Sequence, residues 1–252
     1  MEFVEHTFQL DGVKSFYWKA GKGPPLLFLC GLALTPKTYT NVLTTLATSY
    51  TVYAPQLPAF GNASAPKTLW TFREYGQYMD RFLEIVGADG CTVVGHSFGG
   101  GVALMMAAYS MRTKRVVAVN PGGKIDFYPR RRFYFRAFTR TVLGRLMGKE
   151  TLTLQTIIDI VYTAMMQFPR FFHVYRITEE SLGATYNEYG SIHKPVLFLC
   201  SDKEEIVDRS YFEYLKRTIP HAKKITVDGY HEWLLFHPKQ LLEYVKEFGR
   251  KE

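Results

Sequence analysis

Gly95-His96-Ser97-Phe98-Gly99 is the stretch of this 252-residue chain with the most specific chemical content. It stands between the apolar run Cys91–Val94 and an apolar helical pattern over 98–110. Gly-x-Ser-x-Gly between a strand and a helix makes a sharp turn that exposes the serine hydroxyl, a nucleophile elbow. Glycine at 95 and 99 keeps side chains from colliding with neighbouring backbone in that strained turn. The helix N-terminus behind Ser97 offers backbone N–H groups and a positive dipole end to developing negative charge. A glycine-rich phosphate loop is the competing reading, but neither GxxxxGK[ST] nor GxGxxG occurs nearby.

Serine alone is a weak nucleophile and needs a base held in place by an acid. Of seven histidines, His231 follows the last predicted strand, in Val-Asp-Gly-Tyr-His-Glu-Trp, and precedes the final helix. Loops at the C-terminal ends of strands are where catalytic groups gather in open α/β sheets. His237 reads instead as the start of the final helix beside Pro238. His96 fills the variable position of the elbow, where packing and supporting hydrogen bonds are the favoured role.

Elements that position these residues follow from the hydrophobic pattern. Residues 3–10 and 14–21 alternate and are joined at Asp11-Gly12, a hairpin signal. Short apolar runs at 25–31, 51–57, 91–97, 115–121, 194–201 and 223–229 read as strands. Helical patterns fall between them, with Pro36 at a first turn and Val42, Leu43 and Leu46 at helical spacing. Over 70–87, Phe72, Tyr75, Met79, Phe82 and Val86 share one face, and Gly87 stops the helix. Further helices are expected at 208–219 and 237–252. This alternation implies an α/β fold with a mainly parallel sheet flanked by helices and the opening hairpin at its edge. The pattern breaks at 122–194, which is helical, aromatic and basic. The chain therefore divides into a core, 1–121 and 195–252, and a helical cap, 122–194, inserted after the sixth strand.

These motifs resemble the α/β-hydrolase superfamily, and the match covers essentially all of the chain outside 122–194. Its capped members carry a Ser…Asp/Glu…His triad, with the acid in a segment resembling G-x-x-D-x-I-V. Here that segment is Ser201-Asp202-Lys203-Glu204-Glu205-Ile206-Val207, and the apolar pair puts Glu204 in the acid position, with Asp202 and Asp208 as competitors. The resemblance implies an oxyanion hole from the backbone N–H groups of Phe98 and Leu32, in a loop where Cys30 replaces the histidine of a common His-Gly pair. Cys30 itself reads as a small buried hydrophobe rather than a reactive thiol. A second signature, resembling D-x-P-G-x-G-x-S, aligns with 56–63; Pro58 and Gly61 match, whereas Gln56, Ala59 and Ala63 depart. Serine at 97, where the ester-forming dehalogenase and epoxide hydrolase branches carry aspartate, speaks against those branches. The implied activity is a serine hydrolase, carboxylesterase-like, acting on a small, largely apolar acyl substrate through an acyl-enzyme, with no metal or organic cofactor.

The formal charge of +8 is concentrated in the insertion. Residues 124–149 hold eight basic residues and one acid, and Arg132, Arg136 and Arg140 form one stripe of an expected helix. Phe135, Phe138, Val142 and Leu146 form another. The favoured reading is a cap helix with its apolar face over the site and arginines in water. Alternatives are a substrate carboxylate or phosphate on the arginines, or weak contact with an anionic membrane surface, as in a peripheral lipid or acylglycerol hydrolase. Downstream, Ile157, Ile158, Val161, Met165 and Met166 form an apolar stripe expected to pack between cap helices. Phe135, Phe138 and Met165 are the candidates for lining an acyl pocket. A non-catalytic binding or signalling module is the rival of another class. No nucleic-acid motif accompanies the basic patch, and no run approaches the roughly 20 apolar residues of a membrane span. The N-terminus, acidic at 2 and 5, does not read as a signal peptide. Cys30, Cys91 and Cys200, with no CxxC, suit a reducing cytoplasm rather than a disulfide framework or zinc site.

Overall fold

Asp11 and Gly12 both take positive φ, 53° and 75°, as a type I′ hairpin requires. They fold β1 (Val4–Leu10) onto β2 (Val13–Ala20) at the edge of an eight-stranded sheet. A computed structural model describes residues 2–123, 144, 146–148, 153–184 and 186–250. The other strands are β3 (Pro25–Leu29), β4 (Thr51–Pro55), β5 (Cys91–His96), β6 (Thr113–Val119), β7 (Val196–Ser201) and β8 (Lys223–Val227). Their order is β1-β2-β4-β3-β5-β6-β7-β8. β1 and β2 pair antiparallel, as do β2 and β4, and every pairing from β4 to β8 is parallel. Strands β5 and β7 are buried along their whole length, as expected of apolar runs covered on both faces.

The helices are α1 (Thr40–Leu46), α2 (Phe72–Ile85), α3 (Phe98–Tyr109), α4 (Leu154–Met166), α5 (Phe171–Gly183), α6 (Arg209–Thr218), α7 (Trp233–Phe236) and α8 (Pro238–Arg250). A 3₁₀ turn over Pro36–Tyr39 leads into α1. Two apolar layers flank the sheet. In one, Phe72, Tyr75, Met79 and Phe82 of α2 pack with α3 and with Tyr211, Phe212 and Leu215 of α6. In the other, Val42, Leu43 and Leu46 of α1 meet Leu241, Val245 and Phe248 of α8. α2 begins with a capping box, Thr71 with Glu74, which satisfies first-turn N–H groups. Among the described residues no helix is long and apolar enough to cross a membrane.

α4 and α5 lie between β6 and β7 in the chain, in the segment the sequence sets apart. On α4 the expected orientation is inverted. The buried residues are polar, Thr156, Asp159 and Thr163, while Ile157, Ile158, Val161 and Met166 are exposed and Met165 is 70% exposed. The physical reason is the surface beneath: the loops over 31–38 and 56–63 present backbone N–H and C=O groups that an apolar face would leave without partners.

Candidate active site

Ser97 follows β5 with φ 52° and ψ −118°, a conformation costing a side-chain-bearing residue on the order of 1–3 kcal/mol. Four backbone hydrogen bonds hold it. Ser97 N–H donates to the Val119 carbonyl (2.9 Å), and its carbonyl accepts from Gly122 (2.7 Å), Gly100 (2.8 Å) and Gly101 (3.2 Å). A Cβ on Gly95 would collide with the Gly99 carbonyl, and one on Gly99 with that of Leu29. Both elbow glycines are thus required by space.

The structure brings Glu204 and His231 together. His231 Nδ1 lies 2.9 Å and 2.8 Å from the two oxygens of Glu204, and the side chains are 5% and 0% exposed. A carboxylate acceptor at Nδ1 requires the proton there and leaves the Nε2 lone pair free to act as a base. Glu204 is itself fixed by the backbone N–H groups of Ile206 (2.7 Å) and Val207 (3.0 Å). Burial alone would lower the pKa of His231, but the charge and hydrogen bond of Glu204, joined by the charge of Glu232, outweigh it and raise the pKa. Glu232, also buried, is pushed up to about 7 by burial, against the pull of His231. Among the described residues no hydrogen bond joins the Ser97 hydroxyl to His231; the His96 and His231 rings lie 4.9 Å apart.

The competing carboxylates are engaged elsewhere. Asp202 accepts from Gly229 N–H (2.9 Å), and Asp208 caps α6 through Ser210 N–H (2.8 Å). His237 precedes α8, where its carbonyl accepts from Leu241 N–H (3.2 Å).

His96 is buried and its pKa is held well below the ordinary value, first by burial and then by His231. Its neutral ring has one donor and one acceptor, and its partners fix which is which. The His231 carbonyl, 3.0 Å from Nε2, can only accept, so Nε2 carries the proton. Nδ1 then accepts from the Tyr39 hydroxyl (2.7 Å), which accepts in turn from Gly31 N–H (3.0 Å). Asn120 donates to the same His231 carbonyl (2.9 Å) and to Ser201 Oγ (2.8 Å). The loop after β3 is therefore tied through Tyr39 and His96 to the backbone of His231.

In that loop the Gly31 carbonyl accepts from Leu34 N–H (3.2 Å), and Ala33 takes φ 60°. Leu32 N–H has no acceptor among the described residues. Cys30 is buried, and burial, with a lesser push from Asp159, raises its thiol well above the ordinary range, which suits a packed hydrophobe. Gln56, where the signature over 56–63 departs, is buried and bridges its own loop by donating to the Phe60 carbonyl (2.6 Å). A cavity of about 230 Å³ between the opening hairpin and α4 is lined by Trp18, Lys37, Asn62 and Tyr162 among others, and none of Ser97, Glu204 and His231 borders it.

Of the acyl-pocket candidates, Met165 faces outward. Phe135 and Phe138, with Arg132, Arg136 and Arg140, lie outside the described residues. Tyr39, Asn120 and Glu232 were not singled out by sequence, where nothing in their spacing marks them. For Asp159, Thr163 and Gln167 the sequence does carry a signal, their four-residue recurrence within the apolar stripe.

A family model described as alpha/beta hydrolase fold matches residues 24–238. The chain is 32% identical over 106 residues to a soluble epoxide hydrolase of Corynebacterium sp. strain C12, covering 42% of this chain and 37% of that protein. It spans about a third of the length of the first curated relatives it matches. Among solved structures, a membrane phospholipase A described as a bacterial virulence factor superposes with a TM-score of 0.77 at 19% identity, covering 99% of this chain and 86% of that one. The enol-lactonase of Burkholderia xenovorans LB400 superposes with a TM-score of 0.74 at 18% identity, covering 96% and 99%. At these identities the structural likenesses speak for the fold alone.

Proposed function

Because the chain belongs to the alpha/beta hydrolase fold family, we propose that it is a serine hydrolase that cleaves a carboxylic ester, or a related acyl compound, of a small and largely apolar substrate. Ser97 Oγ attacks the acyl carbonyl while His231 Nε2 takes the hydroxyl proton, and Glu204 stabilises the imidazolium. Phe98 and Leu32 N–H groups receive the oxyanion. Collapse of the tetrahedral intermediate expels the alcohol, which takes the proton back from His231. Water then attacks the acyl-enzyme by the same route, releasing the acid and restoring Ser97. Segment 122–194 acts as the cap that selects the acyl group. The observation that carries this reading is the buried Glu204–His231 pair at 2.8 Å, whose geometry leaves Nε2 as a base on a ring 4.9 Å from that of His96, the residue before Ser97. A fluorophosphonate probe tests it: wild type is labelled and Ser97→Ala is not. Labelling absent from both proteins would refute it and leave a non-catalytic binding module.

A second reading is favoured by one observation. α4, α5 and the turn between them expose Ile157, Val161, Met165, Phe168 and Phe172, directly after a segment, 124–149, that carries a net +7. An exposed apolar face that follows a basic segment in the chain suits an anionic membrane surface, so the acyl substrate would be drawn from a lipid. Co-sedimentation with vesicles containing phosphatidylglycerol should then weaken as salt rises and fall on replacing Arg132, Arg136 and Arg140 by glutamate. Binding indifferent to both changes, or none, would remove this reading.

A further inference from the structure

The buried stripe of α4 grips the loop that carries the proposed oxyanion donor. Asp159, Thr163 and Gln167 recur every four residues and are 2%, 5% and 6% exposed. Asp159 Oδ2 accepts from Thr35 N–H (2.8 Å), the Thr35 hydroxyl (2.6 Å) and the Thr38 hydroxyl (2.8 Å). The Thr163 hydroxyl donates to the Ala33 carbonyl (2.8 Å) and accepts from Gly61 N–H (2.8 Å). The Gln167 amide donates to the carbonyls of Gly61 (3.0 Å) and Ala63 (2.9 Å). One polar stripe thus satisfies backbone groups of two separate loops of the core.

The Ala33 contact matters most. Gly31–Leu34 is a turn closed by the bond from Leu34 N–H to the Gly31 carbonyl. Its third residue, Ala33, sits at φ 60°, where such turns favour glycine. With the Gly31 carbonyl pointed at Leu34, the N–H of the same peptide unit, that of Leu32, points away from the turn. Left-handed backbone is unfavourable for a residue that carries a Cβ, so this conformation needs outside support. Tyr39 supplies it from inside through Gly31 N–H. Thr163 supplies it from the inserted helix. We propose that Thr163, backed by Asp159, is a positioning residue that holds the Gly31–Leu34 turn and so aims Leu32 N–H at the oxyanion. The cap is then part of the transition-state machinery as well as a wall of the pocket. This rests on the serine-hydrolase reading of Ser97.

Thr163→Val keeps the branched shape but removes both hydrogen bonds, and Thr163→Ser keeps the hydroxyl. With a short-chain p-nitrophenyl ester, Thr163→Val should lower kcat at least about tenfold, since a displaced oxyanion donor is worth up to about 10²–10³, with KM within about twofold. Thr163→Ser should stay within about threefold of wild type. In Thr163→Val, Ala33→Gly should restore part of the rate, because glycine takes the turn conformation without support. Amide hydrogen exchange over 31–38 reports the turn without reference to activity and should quicken in Thr163→Val alone. Unchanged exchange, or quickened exchange with kcat intact, would overturn the proposal even if Thr163→Val melts at lower temperature. A wild type inert to both ester and fluorophosphonate would overturn the underlying reading, and with it the positioning role, whatever the exchange result.

Discussion

Replacing Glu232 by glutamine removes an ionisable group from a buried site while keeping its shape. A carboxyl held at about 7 against an ordinary 4.5 prefers its neutral form in the folded chain. Below pH 4.5 the folded and unfolded states both carry the proton and the native state keeps its full stability. As pH rises toward 7 the unfolded chain releases the proton first, so stability falls. At 1.36 kcal/mol per pH unit, the loss amounts to about 3 kcal/mol by pH 8. His231 acts in the same direction. Its raised pKa gives stability that is complete below the unfolded histidine value and disappears as pH passes the folded one, and Glu232 contributes to that rise. The two groups titrate as a pair, so the variant removes the Glu232 share and part of that of His231. Urea unfolding of wild type and Glu232→Gln at pH 5 and pH 8 isolates the effect as a double difference. Wild type should lose about 2–3 kcal/mol more than the variant between the two pH values. A double difference below about 0.5 kcal/mol would refute the assignment of Glu232 as a buried, proton-holding neighbour of His231. If His231 is the base of the proposed mechanism, the rise of kcat/KM with pH reports its deprotonation and should also move to lower pH in the variant.

Glu204→Gln should lower kcat by about 10²–10⁴, because an amide donor facing Nδ1 drives the proton to Nε2 and takes away the base. Asp202→Asn should stay within about threefold of wild type, and equal losses in the two variants, measured by ester hydrolysis, would contradict the assignment of the acid. Tyr39→Phe leaves Gly31 N–H and His96 Nδ1 buried without their partner, at a cost of about 1–3 kcal/mol. In a chain of this size that should lower the melting temperature by several degrees, and an unchanged melting curve would show that the tie between the Gly31 loop and His96 has no weight.

The strand–turn–helix order was open to pattern reading because apolar periodicity and glycine placement act locally. Asp11-Gly12 determines its hairpin through two φ values, and Gly95 and Gly99 are fixed by collisions with near neighbours in the fold. The approach of Glu204 to His231 was different. Both lie in loops 27 residues apart, and neither spacing nor polarity separated Glu204 from Asp202 and Asp208; only the family resemblance chose among them. The structure distinguishes the three by where each finds hydrogen-bond donors.

α4 shows why even a strong pattern has a limit. Its 3.6-residue period states that Ile157, Val161 and Met165 share a face, and that Asp159, Thr163 and Gln167 share another. Periodicity does not state which face turns inward. That is decided by the surface the helix meets, and here the surface is two loops whose N–H and C=O groups need partners. Burying Ile157 and Val161 on them would gain roughly 1.5–3 kcal/mol per side chain. It would also strand at least five backbone groups, those of Ala33, Thr35, Gly61 and Ala63 that the polar stripe now satisfies, at about 1–3 kcal/mol each. The polar face wins. The same balance predicts that apolar residues on α4 tolerate polar replacement in water far better than Thr163 or Asp159 tolerates valine or leucine. Thermal unfolding of Val161→Thr beside Thr163→Val compares them directly, and a larger loss for Val161→Thr would reverse the assignment of the buried face.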